Sequence, residues 1–229
     1  MNLVASLKAR LAARKLSSGD ASEAKKLYEE AVAAGLEDPR YLLSYSVLLI
    51  RDGEFQKARE LLVKHQKNPY LTDDTRKQLY VNYAVCVYKL GDLAKGIELL
   101  ERQHSKEPSG LIFETLGYLY IEAGDTEKAL AYNQESLAYD DEDPISLDNM
   151  AQTYYRLVGD KQKAREYFEK ALSQKPGQID TLYFLALYDQ EAGNPEAAKA
   201  KLNTALKGRF SPLNYASRER VEQLLAQLA

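Results

Sequence analysis

Residue types that commonly perform catalysis or bind metals are scarce in this chain. The only histidines are His65 and His104, and the only cysteine is Cys86. Both histidines fall near the C-terminal ends of predicted helices, where a protonated imidazole complements the helix dipole. Cys86 follows an apolar stretch and is predicted to be a small core residue rather than a nucleophile. Two separated histidines and one cysteine are a poor ligand set for zinc, so we predict no metal site and no catalytic residue.

Signatures of common enzyme classes are also missing from the sequence. It contains no Gly-x-x-x-x-Gly-Lys-Ser/Thr phosphate loop, no Gly-x-Ser-x-Gly elbow and no His-Glu-x-x-His motif. The acidic run 140–143 lacks the spaced ligands and the glycine of a calcium loop, and we interpret it as a solvated loop that ends in a helix N-cap. We therefore expect a protein that is not an enzyme and that uses no cofactor.

Composition limits the remaining classes. The chain has 229 residues, of which 45% are hydrophobic and 28% charged, as in soluble globular proteins. Its net charge of −3 argues against a nucleic-acid partner, because phosphate contacts require cations. A single cysteine cannot form an internal disulfide, and no apolar run is long enough to span a bilayer. We predict a cytoplasmic protein, with the cytoplasmic face of a membrane as the alternative location.

A glycine recurs along the whole chain at nearly constant spacing, which indicates a repeat architecture. Successive intervals are 34, 38, 33, 35 and 34 residues, and each glycine precedes a polar residue. A small residue stands five positions after each one. The pairs are Gly19/Ala24, Gly53/Ala58, Gly91/Gly96, Gly124/Ala129, Gly159/Ala164 and Gly193/Ala198.

A second small residue stands seven positions before most of these glycines. The residues are Ala12, Ser46, Ala84, Gly117 and Ala186. In the fifth unit the small residue is Ala151, eight positions before Gly159, and we interpret Val158 as a one-residue insertion. Apolar residues with helical spacing lie on both sides of each glycine, and the glycine suits the left-handed residue that ends a helix. Each unit is therefore predicted to be a helical hairpin whose backbones approach closely at the small residues.

The hairpins define the predicted domain organisation. Asp38 and Asp143, each followed by proline, are typical helix N-caps. We expect an array of six hairpins over residues 1–208 and a C-terminal capping helix over residues 209–229, which together form one continuous domain. Ser211 and Pro212 are predicted to start that last helix. Its apolar face would cover the exposed end of the array, although a dimerisation helix is the alternative.

The glycine pairs and stretches such as 116–120 (LGYLY) and 164–172 (AREYFEKAL) resemble the tetratricopeptide repeat family. The resemblance covers residues 1–208, with departures such as Asn133 at a position that is usually large and apolar. It implies an all-α fold, a right-handed solenoid of six helix-turn-helix repeats plus the capping helix. It also implies a non-catalytic adaptor or scaffold that binds a peptide or helix of a partner protein in a concave groove.

The resemblance also implies which residues line that groove, because the family's first helices face it. The predicted lining residues are Leu43, Val47, Ile50, Val81, Asn82, Val85, Tyr88, Glu114, Tyr118, Ile121, Asp148, Asn149, Gln152, Tyr155, Tyr183 and Leu187. Asn82 and Asn149 occupy a site where the family's asparagine can hold a peptide backbone. The alternative for each of these residues is packing against a neighbouring repeat. We expect a monomer or a weak homodimer.

The N-terminal segment 1–19 is basic and contains no acidic residue. Leu3, Leu7 and Leu11 form a helical stripe beside four cations. Three interpretations are open, namely the first helix of the first repeat, a membrane-surface segment and a transit peptide. The second interpretation gives the alternative function, a membrane-associated assembly or secretion component with a basic juxtamembrane helix.

Overall fold

The computed structural model describes residues 2–228, and every regular element in that range is helical. The helices are α1 (Leu3–Ser17), α2 (Ala21–Ala33), α3 (Pro39–Arg51), α4 (Phe55–His65), α5 (Asp73–Lys89), α6 (Leu93–His104), α7 (Gly110–Ala123), α8 (Thr126–Tyr139), α9 (Pro144–Thr153), α10 (Lys161–Gln174), α11 (Ile179–Glu191), α12 (Pro195–Leu206) and α13 (Arg218–Gln227). A π-helical turn over Tyr154–Val158 continues α9. The predicted all-α fold class is confirmed.

The chain divides into two compact units, residues 1–107 and 108–229. In the first unit α1 packs on α2, α3 on α4 and α5 on α6, while α3 also contacts α5. In the second unit α7 packs on α8, α9 on α10 and α11 on α12, while α7 contacts α9 and α13 packs on α12. Each unit is therefore a stack of helical hairpins. The organisation of residues 1–229 as one continuous domain stays a prediction.

The recurring residues have the roles that their spacing predicts. The six glycines have φ angles between +72° and +97°, a backbone conformation that strains any residue with a β-carbon. The five alanines that follow them are fully buried, because second helices meet first helices there. They are Ala24, Ala58, Ala129, Ala164 and Ala198. Asp38 and Asp143 are N-caps, whose carboxylates accept the backbone N–H of Arg40 at 3.0 Å and of Ser146 at 2.7 Å.

The extra residue of the fifth repeat is absorbed by the π turn. The N–H of Gly159 donates to the carbonyl of Tyr154 at 2.8 Å, five residues back instead of four. This wider turn adds one residue without ending the helix, so Ala151 and Ala164 are both fully buried. The turn also stacks Tyr154 on Tyr167, with ring centroids 5.7 Å apart.

The C-terminal helix begins later than the sequence predicts. The helix α13 starts at Arg218, with Ser217 as its N-cap, and residues 211–216 are not helical. The cause is Asp180 at the start of α11, whose carboxylate accepts the backbone N–H groups of Tyr215 at 3.1 Å and Ala216 at 2.9 Å. Those bonds hold the segment against α11 in a non-helical path, which includes a turn closed by the Asn214 N–H on the carbonyl of Ser211 at 2.9 Å. The predicted start at Ser211 was therefore wrong.

Two residues whose types could support catalysis have limited contact with solvent. His65 is half-buried, and Cys86 is fully buried. His65 and His104 end α4 and α6, as predicted. Burial lowers the pKa of His65 below its ordinary value, which disfavours the protonated imidazole expected at this helix end. Burial raises the pKa of the Cys86 thiol to about 12, which leaves almost no thiolate. Among residues 2–228, no helix combines the length and the apolar character needed to cross a membrane.

Candidate binding surfaces

In the first unit, the predicted groove residues lie on α3 and α5. Four of them are 4–7% exposed and belong largely to the core, namely Leu43, Ile50, Val81 and Val85. Val47 and Tyr88 are half-buried and offer more surface. The ammonium of Lys89 lies 4.4 Å from the centre of the Tyr88 ring. This surface is apolar, and its accessible part is small.

Asn82 connects two first helices of that unit. Its amide nitrogen donates to the hydroxyl of Ser46 on α3 at 2.9 Å, and its oxygen accepts from the side chain of Gln78 at 2.7 Å. Asn82 is only 4% exposed. These contacts explain why an asparagine at this position stabilises the unit. Its predicted role in holding a peptide backbone stays a prediction.

The second unit carries a different surface, which is polar and contains a pocket. The pocket has a volume of about 410 Å³ and is lined by residues of α7, α9 and α11 and of the segments before α11 and α13. Five of the predicted groove residues lie in its wall: Glu114, Tyr118, Asp148, Asn149 and Gln152. First helices therefore bring together residues that are 34 positions apart in the sequence.

The other predicted residues of the second unit lie outside the pocket wall. Ile121 is 1% exposed and belongs to the core. Tyr155 and Tyr183 contact Phe184, with ring centroids 4.9 and 5.6 Å apart. Leu187 is half-buried and packs in the same apolar region. These side chains help to build the unit's core and leave only partial surface.

Part of the pocket wall was missed from the sequence. It consists of Lys175, Gly177, Gln178, Asp180, Arg209, Ser211, Leu213 and Asn214, among others. These residues lie in the connection before α11, at its start and in the segment before α13. The segment after α12 was assigned to a cap, and in the structure the hydrogen bonds of Asp180 and the stacking of Tyr215 on Phe184, with ring centroids 5.1 Å apart, hold it beside the pocket. The one signal for this part of the wall in the sequence was Asp180, an acidic residue at the core-facing start of a helix.

Two buried carboxylates are held in the pocket wall by hydrogen bonds. Asp148 accepts the hydroxyl of Thr181 at 2.5 Å and the amide of Gln152 at 2.7 Å. Asp180 accepts the two backbone N–H groups described above and the amide of Asn214 at 3.3 Å. Burial raises the pKa of both carboxyls above their usual range. Both carboxyl groups therefore accept hydrogen bonds from protein donors, although water has little access to them.

Glu114 differs from these two acids because its carboxylate has no hydrogen-bond or ion-pair partner among the described residues. It is half-buried on α7. Burial, assisted by repulsion from Asp143 and opposed by Lys175, raises the pKa of Glu114 to about 7. Its backbone carbonyl accepts the amide of Asn149 at 2.8 Å, which ties α9 to α7. The pocket thus presents an unpaired acid at its wall.

A polar network extends from the pocket into the unit. The Arg156 guanidinium donates to Gln152 at 3.0 Å and to Glu122 at 2.8 Å, and it lies 4.2 Å from the centre of the Tyr215 ring. Gln152 is fully buried and also donates to Asp148. The network therefore fixes the position of Asp148 in the pocket wall.

The fold and these surfaces define a helical-repeat protein of the kind that serves as an interaction scaffold. The family profile described as "Tetratricopeptide repeat" matches residues 10–69 and 114–179, just over half of the chain. The chain therefore belongs to the tetratricopeptide repeat family, as its glycine and alanine spacing predicted. Members of this family are generally non-catalytic adaptors that bind other proteins.

One curated relative is the tetratricopeptide repeat and J domain-containing co-chaperone DNJ1 of Fusarium oxysporum f. sp. lycopersici. It is 36% identical over 93 residues, which are 41% of this chain and 18% of the relative. The chain thus matches less than a fifth of that protein's length.

Solved structures share the fold at low sequence identity. TTC0263, a tetratricopeptide repeat protein of Thermus thermophilus, is 20% identical with a TM-score of 0.64, covering 84% of this chain and 98% of its own. PilW, a type IV pilus biogenesis factor, is 20% identical with a TM-score of 0.67, covering 98% and 100%. A chain of the APC/C hetero-tetramer Cut9–Hcn1 is 15% identical with a TM-score of 0.69, covering 98% and 42%. These likenesses support the helical-repeat solenoid fold.

Proposed function

We propose that this protein is a non-catalytic scaffold that binds a peptide or helix of a partner protein on its first-helix surface. The observation that carries the proposal is the pocket of the second unit, whose wall includes five of the predicted groove residues. A volume of about 410 Å³ lies within the usual range of ligand pockets, about 300–1,000 Å³. The partner would place a side chain in this pocket.

The best test uses a charge reversal at the pocket. Glu114→Arg changes a half-buried acid that has no partner, so the variant should remain folded. Glu166→Arg makes the same change on the exposed surface of the second helix α10 and is the matched control. A quantitative pull-down should show a protein that wild type and the control capture and the Glu114 variant loses. Equal capture by all three proteins would contradict the proposal.

A cytoplasmic setting is part of the proposal. It is supported by the single cysteine, which is buried and cannot form an internal disulfide. Fluorescence localisation of the tagged full-length protein would test it, and accumulation in an oxidising compartment would contradict it.

A second candidate function, association with a membrane surface, is favoured by the outer face of α1. Leu3, Val4, Leu7 and Leu11 are 73%, 53%, 56% and 47% exposed. Arg10 and Arg14 are exposed as well, and neither has an ion pair within residues 2–228. Exposed leucines beside unpaired arginines suit an anionic bilayer, which offers both apolar area and negative charge. The same helix packs on α2 as the first helix of the first repeat.

Co-sedimentation with vesicles at low salt tests this candidate. Vesicles that contain phosphatidylserine should sediment the protein, and pure phosphatidylcholine vesicles should not. Leu7→Ser combined with Leu11→Ser should weaken the binding, whereas Val63→Ser, which alters an exposed apolar residue of α4, should not. Absence of binding to the anionic vesicles at low salt would contradict membrane association.

A further inference from the structure

The wall of the pocket in the second unit contains two acceptors that no donor of the protein satisfies. Its amide groups each donate inside the protein, since Asn149 donates to the Glu114 carbonyl and Gln152 to Asp148. Gln178 likewise donates to the carbonyl of Pro144 at 3.0 Å. By contrast, the Glu114 carboxylate and the Oε1 atom of Gln178 have no hydrogen-bond partner among the described residues. A group that pairs with these two acceptors must bring hydrogen-bond donors.

A buried amide oxygen in the wall shows the same imbalance. Gln178 is 9% exposed, and its Oε1 atom is buried without a hydrogen-bond partner. A buried acceptor without a donor is unfavourable by about 1–3 kcal/mol and is uncommon in folded proteins. Gln178 lines the pocket, and a donor that reaches this atom from the pocket would satisfy it. This observation is independent of the acidic residues.

The charges of the wall favour a cationic donor. Glu114, Asp148 and Asp180 contribute carboxyl groups, and none of the three forms an ion pair within residues 2–228. Lys175 and Arg209 also line the pocket, but both are exposed and neither forms an ion pair with these acids. Solvent therefore stabilises these two cations, and Asp148 and Asp180 have the hydrogen bonds described above, whereas the half-buried Glu114 carboxylate has no such partner. Tyr118 adds an aromatic ring, which also favours a cation nearby.

We propose that this pocket receives a lysine or arginine side chain of the partner protein, with Glu114 as its ion-pair partner and Gln178 Oε1 as an additional acceptor. The inference rests on the proposed function, because it specifies the chemistry of the bound segment. An ammonium or guanidinium group supplies both hydrogen-bond donors and a positive charge to these two acceptors. Neither acidic nor neutral side chains supply both.

Small capped amino acids are suitable probes, because they contain the side chain without the rest of a partner. Nα-acetyl-lysine methylamide and Nα-acetyl-arginine methylamide carry the charge. The norleucine and citrulline analogues are nearly isosteric with them and neutral. Titration followed by ¹H–¹⁵N NMR should shift the amide signals of Gly177, Gln178 and Ser211 with the cationic probes. The neutral analogues should bind about tenfold more weakly, as expected for the loss of one charge-assisted hydrogen bond.

A matched pair of variants tests the assignment of Glu114. Glu114→Gln keeps the shape of the side chain and removes its charge, so the cationic probes should bind about tenfold more weakly. Glu166→Gln on the exposed surface of α10 should leave their affinity unchanged. Comparing lysine with arginine then identifies the preferred cation, and either preference supports the proposal.

Several outcomes would overturn it. Equal binding of the neutral analogues, preferential binding of Nα-acetyl-glutamate methylamide, or no saturable binding of any probe would each show that the pocket does not select cations. The scaffold proposal is tested separately by the pull-down. If the probes fail while Glu114→Arg still loses a partner, the scaffold stands and the cation site falls. If the cationic probes bind while capture is unchanged, the pocket selects cations and the scaffold proposal falls.

Discussion

Replacing Gly117 with alanine tests the closeness of the helices inside a hairpin. A β-carbon on Gly117 of α7 would lie 2.1 Å from Oδ1 of Asn133 on α8. Real Cβ atoms essentially never lie closer than 3.0 Å to another heavy atom of this kind, so the added β-carbon would clash. It would also lie 3.2 Å from Asn133 Cγ and from Asn149 Nδ2. Asn133 is fully buried and donates to Thr153 at 3.1 Å, so it cannot move without losing that bond.

The expected loss of stability follows from three contributions. Overpacking a core costs about 1–3 kcal/mol, and losing the bond to Thr153 adds about 0.5–1.5 kcal/mol. Alanine is favoured over glycine inside a helix by about 1 kcal/mol, which offsets part of this cost. We therefore expect Gly117→Ala to lower the free energy of unfolding by about 1–3 kcal/mol. Without the clash, the substitution would stabilise the helix.

Urea unfolding followed by circular dichroism measures this change. Gly110→Ala is the matched control on the same helix, because its β-carbon would have its nearest contact at 3.9 Å. Adding Asn133→Ala to Gly117→Ala should remove most of the steric penalty, so the two substitutions should not be additive. A Gly117→Ala protein as stable as the Gly110→Ala control would refute the reasoning.

Three further changes have definite expected results. Ala58→Leu places a large side chain at a fully buried contact and should lower the free energy of unfolding by about 1–3 kcal/mol in thermal melts; an unchanged melt would mean that the repeat register is wrong. Because burial lowers the pKa of His65 below 6.5, its neutral form stabilises the fold fully above pH 6.5, and that contribution is lost as the pH falls below it. His65→Gln should therefore reduce the loss of stability between about pH 7 and pH 5 in urea titrations, and an identical pH profile would contradict this. Cys86 should react with a thiol reagent at about pH 8 only after denaturant is added, and rapid labelling of the native protein would show that the thiol is accessible.

The hairpins could be predicted because their signals are local. The left-handed conformation needed after each first helix restricts Gly124 and its equivalents, and close helix contact restricts Ala129 and its equivalents. Val158 could be recognised as an insertion from spacing alone. Whether the extra residue would lengthen a loop or widen a helical turn depends on packing around it, and the structure shows a π turn.

The polar surface of the second unit could be predicted only in part. Resemblance to the family placed Glu114, Asp148 and Gln152 on first helices, and the structure shows that they line one pocket. The sequence did not indicate that Asp148 would be buried, since an acidic residue ordinarily faces water. The burial of Asp148 depends on Thr181, which is 33 residues later in the sequence. It also depends on the segment that Asp180 holds by hydrogen bonds, which lies 34–36 residues after Asp180. Such pairings carry no local signal.

Asn133 shows how a departure from the family pattern can have a structural cause. Families of this kind usually place a large apolar residue there, and the sequence alone offered no reason for the asparagine. In the structure Asn133 lies against Gly117 and donates to Thr153. Gly117 is the only glycine among the small residues that stand seven or eight positions before the repeat glycines. The glycine and the asparagine thus compensate each other. A pair of this kind becomes visible only when both helices are in place.

Site-specific photo-crosslinking tests the central claim, that a partner protein binds at the first-helix surface of the second unit. A photoreactive amino acid would replace Glu114 at the pocket in one protein and Glu166 on the exposed face of α10 in the other. After irradiation in cells of the source organism, mass spectrometry would identify the attached peptides. We predict one recurrent partner attached from position 114, through a segment that contains lysine or arginine, and not from position 166. Attachment of the same partner from position 166 alone, or of none from position 114, would contradict the account.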